Sequence, residues 1–305
     1  MEAQTRKTIL QTEKLSKQYG TFMALDHVSL TVRQGDIYGL IGRNGAGKTT
    51  LFKCIMGLAK PTGGGMTIAG ERRQLNRARG QMGFMINPSF FPYLNPRENL
   101  QYLCRMKGIG AKTEVDRLLK LVELEGVRKP FKDFSLGMKQ RLGIAGAMLG
   151  NPQMVLLDEP INGLDPQGII DIRNLIRAVH RQTGTGFLVS SHILSELDLV
   201  ATRFGFIDHG VLLKEISHSE LHEHTKKMLV IQVENGPRAK ALLEKAGIQG
   251  VLAADNLLRM DTNLDKSHEI ARMLVEGGLA VYDLHRQENT LEEYFMRLVG
   301  GGKDA

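Results

Sequence analysis

The sequence predicts an α/β protein whose doubly wound, mostly parallel sheet is followed by a smaller α+β domain. Short, continuously apolar runs at 37–41, 154–157 and 187–189 have the character of strands buried on both faces. Stretches with helical spacing separate them, and strand–helix alternation implies a parallel sheet with helices on both sides. A polar stretch at 218–227, rich in histidine and lysine and without apolar periodicity, reads as a linker in a chain of 305 residues, which is about twice the length of an average domain.

Residues 24–32 read as a strand, Gln34-Gly35-Asp36 as a turn, and 37–41 as a second strand that runs straight into a glycine-rich loop. Residues 48–56 then keep helical spacing, with Gly57 where a C-terminal cap belongs. From 95 to 150 the pattern is almost wholly helical, an insertion opened by Asn95-Pro96-Arg97-Glu98, which supplies a cap residue, a first-turn proline and an acid three positions on. Beyond the linker the order is strand (228–233), helix (237–246), two strands, helix (267–276) and strand (280–284), the β-α-β-β-α-β order of a ferredoxin-like split unit. A last amphipathic helix at 290–298 carries Leu291, Tyr294, Phe295 and Leu298 at i, i+3, i+4 and i+7. That stripe is read either as an exposed contact surface or as part of the small domain's own core. A tail at 300–305 is expected to be disordered. The expected domains are 1–225, with a helical subdomain at about 95–150, and 226–305.

Composition excludes some classes. Hydrophobic residues make up 42% and charged residues 24%, close to an ordinary folded protein. No run approaches the roughly 18 to 20 apolar residues of a membrane-spanning helix, and the polar start at 1–7 is followed by no apolar signal region, so a cytoplasmic protein is expected. Cys54 and Cys104 lie in apolar helical patterns without metal-ligand spacing and read as small buried hydrophobes. The net charge of +7 is spread among interleaved acids, so an anionic nucleotide and a basic surface near a membrane account for it without nucleic acid. Arg72, Arg73, Arg77 and Arg79 form the richest cluster, and with no interleaved aromatic residues it reads as a solvated loop.

Gly42-Arg43-Asn44-Gly45-Ala46-Gly47-Lys48-Thr49 follows the second strand and opens the first helix. Glycines let successive N–H groups turn toward phosphate oxygens, and the helix presents its positive end to the same anions. Lys48 is then expected to reach the β- and γ-phosphates, the Thr49 hydroxyl to ligate Mg²⁺, and Thr50 to add a further contact. Downstream, Met154-Val155-Leu156-Leu157-Asp158-Glu159-Pro160 is an apolar run ending in two carboxylates. An acid at the end of a strand beside the phosphate loop suits Mg²⁺, which fits Asp158. Glu159 is then placed to polarise an attacking water, a role worth roughly 10² to 10⁴ in rate.

Phe134-Ser135-Leu136-Gly137-Met138-Lys139-Gln140-Arg141-Leu142, just upstream of that acidic strand, resembles the signature motif of the ATP-binding cassette (ABC) family. On its own residues the segment is a helix start, with Ser135 as N-cap and Gly137 allowing close approach to an anion. The resemblance implies a RecA-like core with an antiparallel β subdomain and a helical subdomain, and two cassettes that sandwich two ATP molecules. Ser135, Gly137 and Met138 would face the γ-phosphate held by the other cassette. Tyr19 resembles the aromatic that stacks on adenine, Asn162-Gly163-Leu164-Asp165 the loop that crosses between cassettes, and His192 the switch histidine that contacts the γ-phosphate.

Two departures stand out. Leu136 and Met138 replace the first glycine and the glutamine of the usual Leu-Ser-Gly-Gly-Gln. Where the family carries a glutamine after the Gly83-Phe84 pair, the candidate is Asn87, which would reach the metal with a shorter side chain. The segments 136–145, 159–166 and 190–196 look most like the bacitracin and lantibiotic export or immunity branch. The resemblance therefore implies an ATPase with ATP and Mg²⁺ as cofactors, catalytic Glu159, His192 and Lys48, and Mg²⁺ held by Thr49, Asp158 and Asn87. Its partners would be a second cassette, expected to be an identical chain, and a membrane permease on a separate chain that holds it at the inner face of the membrane. The alternative is a soluble ABC ATPase acting on the ribosome or nucleic acid. Against it stand a single phosphate loop and the absence of a long coiled-coil insertion between Lys48 and Ser135.

Overall fold

The computed structural model describes residues 6–225, 227–288 and 290–300. The chain divides into two compact units, Met1–His218 and Ser219–Ala305. Among the described residues no helix is long and apolar enough to cross a membrane.

The first unit opens with strands β1 (Thr8–Tyr19), β2 (Phe22–Val28), β3 (Thr31–Arg33) and β4 (Ile37–Ile41), then helix α1 (Lys48–Met56), β5 (Gly63–Ile68), α2 (Leu75–Arg79) and β6 (Met82–Met85). Next come helices α3 (Pro96–Lys107), α4 (Ala111–Leu121) and α5 (Leu136–Ala147), followed by β7 (Met154–Asp158), α6 (Pro166–Thr183), β8 (Gly186–Ser191), α7 (Leu194–Asp198), β9 (Arg203–Asp208) and β10 (Val211–Ser217). β1 pairs antiparallel with β2, β3 and β5. The larger sheet runs β10-β9-β4-β8-β7-β6, parallel from β9 to β6 with β10 antiparallel at one edge.

The apolar strands lie where their composition requires. Every residue of β4 and β8 is buried, as are Met154 to Leu157 of β7, so helices cover both faces of the sheet. Phe52 of α1 is fully buried in the core formed with β1 and β4, a burial that contributes about 2 to 3 kcal/mol. Tyr38 of β4 is also fully buried, and its hydroxyl donates to Glu215 Oε1 at 2.8 Å. Burial first, and then the neighbouring carboxylate, pushes this phenol well above its ordinary value. Gly205 on β9 makes the room: a Cβ there would collide with the Tyr38 hydroxyl, so Gly205→Ala would break this packing.

Helix starts follow the local chemistry. Glu98 N–H donates to Asn95 Oδ1 at 3.0 Å and Asn95 N–H to Glu98 Oε2 at 2.8 Å, a reciprocal cap on α3 with Pro96 in the first turn. Asp165 caps α6, its Oδ1 accepting from Gly168 N–H at 3.0 Å. Gly57 ends α1 with φ 82.

Several expectations need correction. The single strand expected at 24–32 is broken into β2 and β3 by an irregularity along the same edge of β1: His27 takes φ 52, and Thr12 Oγ1 donates to Val28 O at 3.0 Å and accepts from Leu30 N–H at 3.0 Å in place of the regular ladder. The arginine cluster is not simply a solvated loop. Arg79 ends α2, and its Nε donates to Ile55 O at 2.7 Å, tying down the last turn of α1; burial holds its guanidinium below its ordinary pKa. Most of the expected linker is helix α8 (His218–His224), organised around the fully buried Leu221.

The second unit contains β11 (Lys227–Val233), α9 (Gly236–Lys245), β12 (Leu252–Ala254), β13 (Leu257–Met260), α10 (Ser267–Glu276), β14 (Val281–Glu288) and α11 (Leu291–Gly300). Its sheet is antiparallel throughout, in the order β12-β13-β11-β14. Alternate residues Leu229, Ile231 and Val233 of β11 join Ala239, Leu243, Ile270 and Leu274 from α9 and α10 in its core. The stripe on α11 is not an open surface: Tyr294 is buried, with its ring stacked 5.2 Å from that of His224, and Leu291, Phe295 and Leu298 are half-buried. Residues 301–305 of the expected tail lie outside the described residues.

Candidate active site

β4, β8 and β7 are adjacent and parallel, so the loops leaving their C-terminal ends converge. β4 delivers 42–49, β7 delivers Asp158 and Glu159, and β8 delivers Ser190, Ser191 and His192. The register places Ile41 opposite Ser191 and Asp158 opposite Ser190.

The loop turns on glycines in the left-handed region, Gly45 at φ 83 and Gly47 at φ 108. A Cβ at Gly42 would collide with Ile207 O, and one at Gly47 would lie 2.7 Å from Ala24 O, so neither position has room for a side chain. α1 begins without a capping side chain or a first-turn acid, which leaves its N–H groups and dipole for an anion. Arg43, Asn44 and Gly45 are exposed, Ala46 is buried, and Thr49 and Thr50 are half-buried.

Lys48 is only 6% exposed. Its Nζ donates to Gly42 O at 2.6 Å and to Arg43 O at 3.2 Å, and lies 3.1 Å from Glu159 Oε1. The last distance is an ion pair without hydrogen-bond alignment, which leaves Glu159 Oε1 buried and lacking a hydrogen-bond partner. A buried ion pair costs desolvation, offset here by the carbonyls that also hold the ammonium. Glu159 Oε2 lies 2.9 Å from His192 Nδ1, and Glu159 itself takes φ 48.

Asp158 is held from both sides. Thr49 Oγ1 donates to its Oδ2 at 2.8 Å and Ser190 Oγ to its Oδ1 at 2.6 Å. Ser190 Oγ also accepts from Glu159 N–H at 2.9 Å, so one buried hydroxyl ties the two carboxylate residues together. Sequence reasoning did not single out Ser190; its place beside His192 in a fully buried strand end was the available signal.

The structure therefore brings together Lys48, Thr49, Asp158, Glu159 and His192, with Ser190. These residues fit a magnesium nucleotide. The hydroxyl–carboxylate pair of Thr49 and Asp158 is a hard oxygen donor set, and Glu159 Oε1, ion-paired with Lys48 but without a hydrogen-bond donor, can accept from a water. Tyr19 is 47% exposed at the end of β1, with Lys17 Nζ 4.6 Å from its ring centroid, which leaves a ring face for a base. Asn87, exposed and at φ 43, follows β6, whose Met85 pairs with Leu157; it thus lies near the level where β7 ends in the two acids.

Among the described residues, Ser135, Gly137, Met138 and Asp165 form no hydrogen bond to this cluster. Ser135 Oγ accepts from Met138 N–H at 3.3 Å as the cap of α5. Asn99, also not foreseen, is almost fully buried. Its Nδ2 donates to Leu94 O at 3.0 Å and its Oδ1 accepts from Phe91 N–H at 2.9 Å, which fixes the loop after Asn87.

Comparison with known proteins agrees with this geometry. The ABC transporter family profile matches residues 25–162. The bacitracin transport ATP-binding protein BcrA of Bacillus licheniformis is 39% identical over 301 residues, covering 97% of this chain and 98% of that protein. The lantibiotic transport ATP-binding protein SrtF of Streptococcus pyogenes is 39% identical over 215 residues, 70% of this chain and 93% of its own length. Among solved structures, the dimeric post-hydrolysis cassette MJ0796 with ADP and phosphate superposes with TM-score 0.62 at 25% identity, over 69% of this chain and 99% of that one.

Proposed function

The chain belongs to the ABC transporter ATP-binding family, and from that premise we propose that it powers a separate membrane permease that exports an amphiphilic antimicrobial peptide. It is an ATPase that uses ATP and Mg²⁺. The observation that supports the peptide substrate is the likeness to the bacitracin transport subunit across both units of the chain. The two transport relatives give no support to action on the ribosome or nucleic acid.

Magnesium-bound ATP supplies the phosphoryl group and the charge that the residues of this chain handle. The backbone N–H groups of 42–49, with Thr50, cradle the phosphates, and Lys48 neutralises their charge. Thr49 and Asp158 hold the metal, with Asn87 reaching it from the loop after β6. Glu159 accepts a proton from the attacking water, and His192 orients that carboxylate through Oε2. Tyr19 stacks on the base. Ser135, Gly137, Met138 and Asp165 act toward a second copy of the cassette, so closure of the pair completes the site. The unit after His218 is a ferredoxin-like accessory domain that supports dimerisation or regulation, and the whole chain sits at the inner membrane face through its permease.

Coexpression with a candidate permease, a multi-spanning membrane protein sought among the flanking genes, tests this reading. The chain is expected to copurify with that protein, and a bacitracin- or lantibiotic-sensitive host is expected to gain resistance that Lys48→Ala removes. Copurification with no membrane protein, together with unchanged sensitivity to both peptide classes, would overturn it.

A further inference from the structure

Leu136 stands where the family resemblance calls for glycine, and its side chain is 42% exposed. It is nonetheless engaged. A Cβ on Gly163 would lie 3.3 Å from Leu136 Cδ2, and a Cβ on Gly137 would lie 3.9 Å from Leu164 Cδ2. Each leucine thus lies close to a glycine of the facing segment, Leu136 by Gly163 and Leu164 by Gly137. Gly163 takes φ 77, a conformation that keeps a side chain away from this contact. Farther along the same two helices, Arg141 Nη2 donates to Asp171 Oδ2 at 3.0 Å, while Arg141 Nη1 is anchored on Val122 O at 3.2 Å. Two independent contacts, one apolar and one ionic, therefore join the start of α5 to the loop and helix of α6.

We propose that Leu136 is a positioning residue that locks the 162–165 loop onto the start of α5, so that the two segments facing a second cassette engage it as one body. This rests on the two-cassette reading above. With glycine at 136 the start of α5 and the loop could adjust separately, and each would meet the partner with its own ordering cost. With leucine the ordering is done within one cassette before the second arrives. The consequence is steeper ATP-driven pairing, because neither segment can engage without the other.

The full-length chain carrying Leu136→Gly, Leu136→Ala or Leu136→Met tests this, read by the ATP dependence of hydrolysis and by ATP-induced dimerisation in a Glu159→Gln background. Glycine and alanine are expected to raise half-saturating ATP about four-fold, the scale of one lost methylene contact, with a smaller change in kcat and a lower Hill coefficient. ADP affinity, which needs no second cassette, is expected to stay unchanged, and methionine, which still spans the gap to Gly163, to restore the parent behaviour. Alanine serves as the guard against a trivial cause, since it removes the contact without loosening the helix. Leu136→Ala with the parent's Hill coefficient and half-saturation would overturn the proposal while leaving the two-cassette reading in place. Failure of the Glu159→Gln parent to dimerise with ATP would overturn both.

Discussion

Ser190 is the residue whose role depends most on the tertiary structure, and removing its hydroxyl is the sharpest test of the site. In Ser190→Ala, Asp158 Oδ1 loses its donor at 2.6 Å and the Glu159 N–H loses its acceptor at 2.9 Å. The site is 0% exposed, so water cannot readily replace either partner. A hydrogen bond to a charged group contributes about 1.5–3 kcal/mol and a neutral one about 0.5–1.5, so the pair contributes roughly 2 to 4.5 kcal/mol. Part of this is lost as stability. If half falls on the transition state, because Asp158 and Glu159 are no longer held in register, kcat drops about 5- to 45-fold. The assay is steady-state ATP hydrolysis at saturating magnesium and ATP, paired with thermal unfolding. Ser191→Ala is the control, since Ser191 is equally buried but its hydroxyl exchanges hydrogen bonds with the backbone of Ile193 rather than with either carboxylate residue. Ser190→Ala with parental turnover, or Ser191→Ala with an equal loss, would refute the assignment.

Glu159→Gln is expected to retain ATP binding but to cut turnover at least about 100-fold, since an amide does not accept the water's proton; equal loss of affinity and turnover would remove Glu159 as base. Asn87→Gln is expected to alter permease-stimulated hydrolysis more than ATP affinity, because φ 43 suits asparagine better than glutamine and the longer side chain must strain or move the loop. Unchanged basal and stimulated rates would place Asn87 outside the site. A chain ending at 225 is expected to bind ATP in a calorimetric titration while losing dimerisation or regulation, and it keeps the length over which the lantibiotic relative matches. Loss of ATP binding at equal solubility would show that the second unit is needed for the first.

Much of the site was legible because it rests on local chemistry. The phosphate loop needs glycines at positive φ and a following helix, which leaves the contiguous trace 42–49, and Asn95 with Glu98 announces α3 by a cap that spans only four residues. Arg79 was misread because its partners, the carbonyls of Cys54 and Ile55, lie on another helix. The α8 helix was missed because a seven-residue helix with one buried leucine has too little periodicity to reveal itself. The stripe on α11 stayed open between contact surface and core in the sequence, and is partly buried in the structure, because periodicity names an apolar face and says nothing of what covers it.

By itself the sequence determined the residue types of the reaction: a lysine and threonine after a glycine loop, two acids after an apolar strand, and a histidine after another. Only the tertiary structure decided that these meet, because β4, β8 and β7 are neighbours in the sheet though far apart in the chain. The same adjacency placed Ser190 between Asp158 and Glu159, and the crossing of α5 and α6 placed Leu136 against Gly163. The reason is physical: caps, turns and strand character arise from near neighbours and leave local traces, whereas hydrogen bonds between strand ends and contacts between helices depend on which elements pack together, and a single sequence carries no local mark of that.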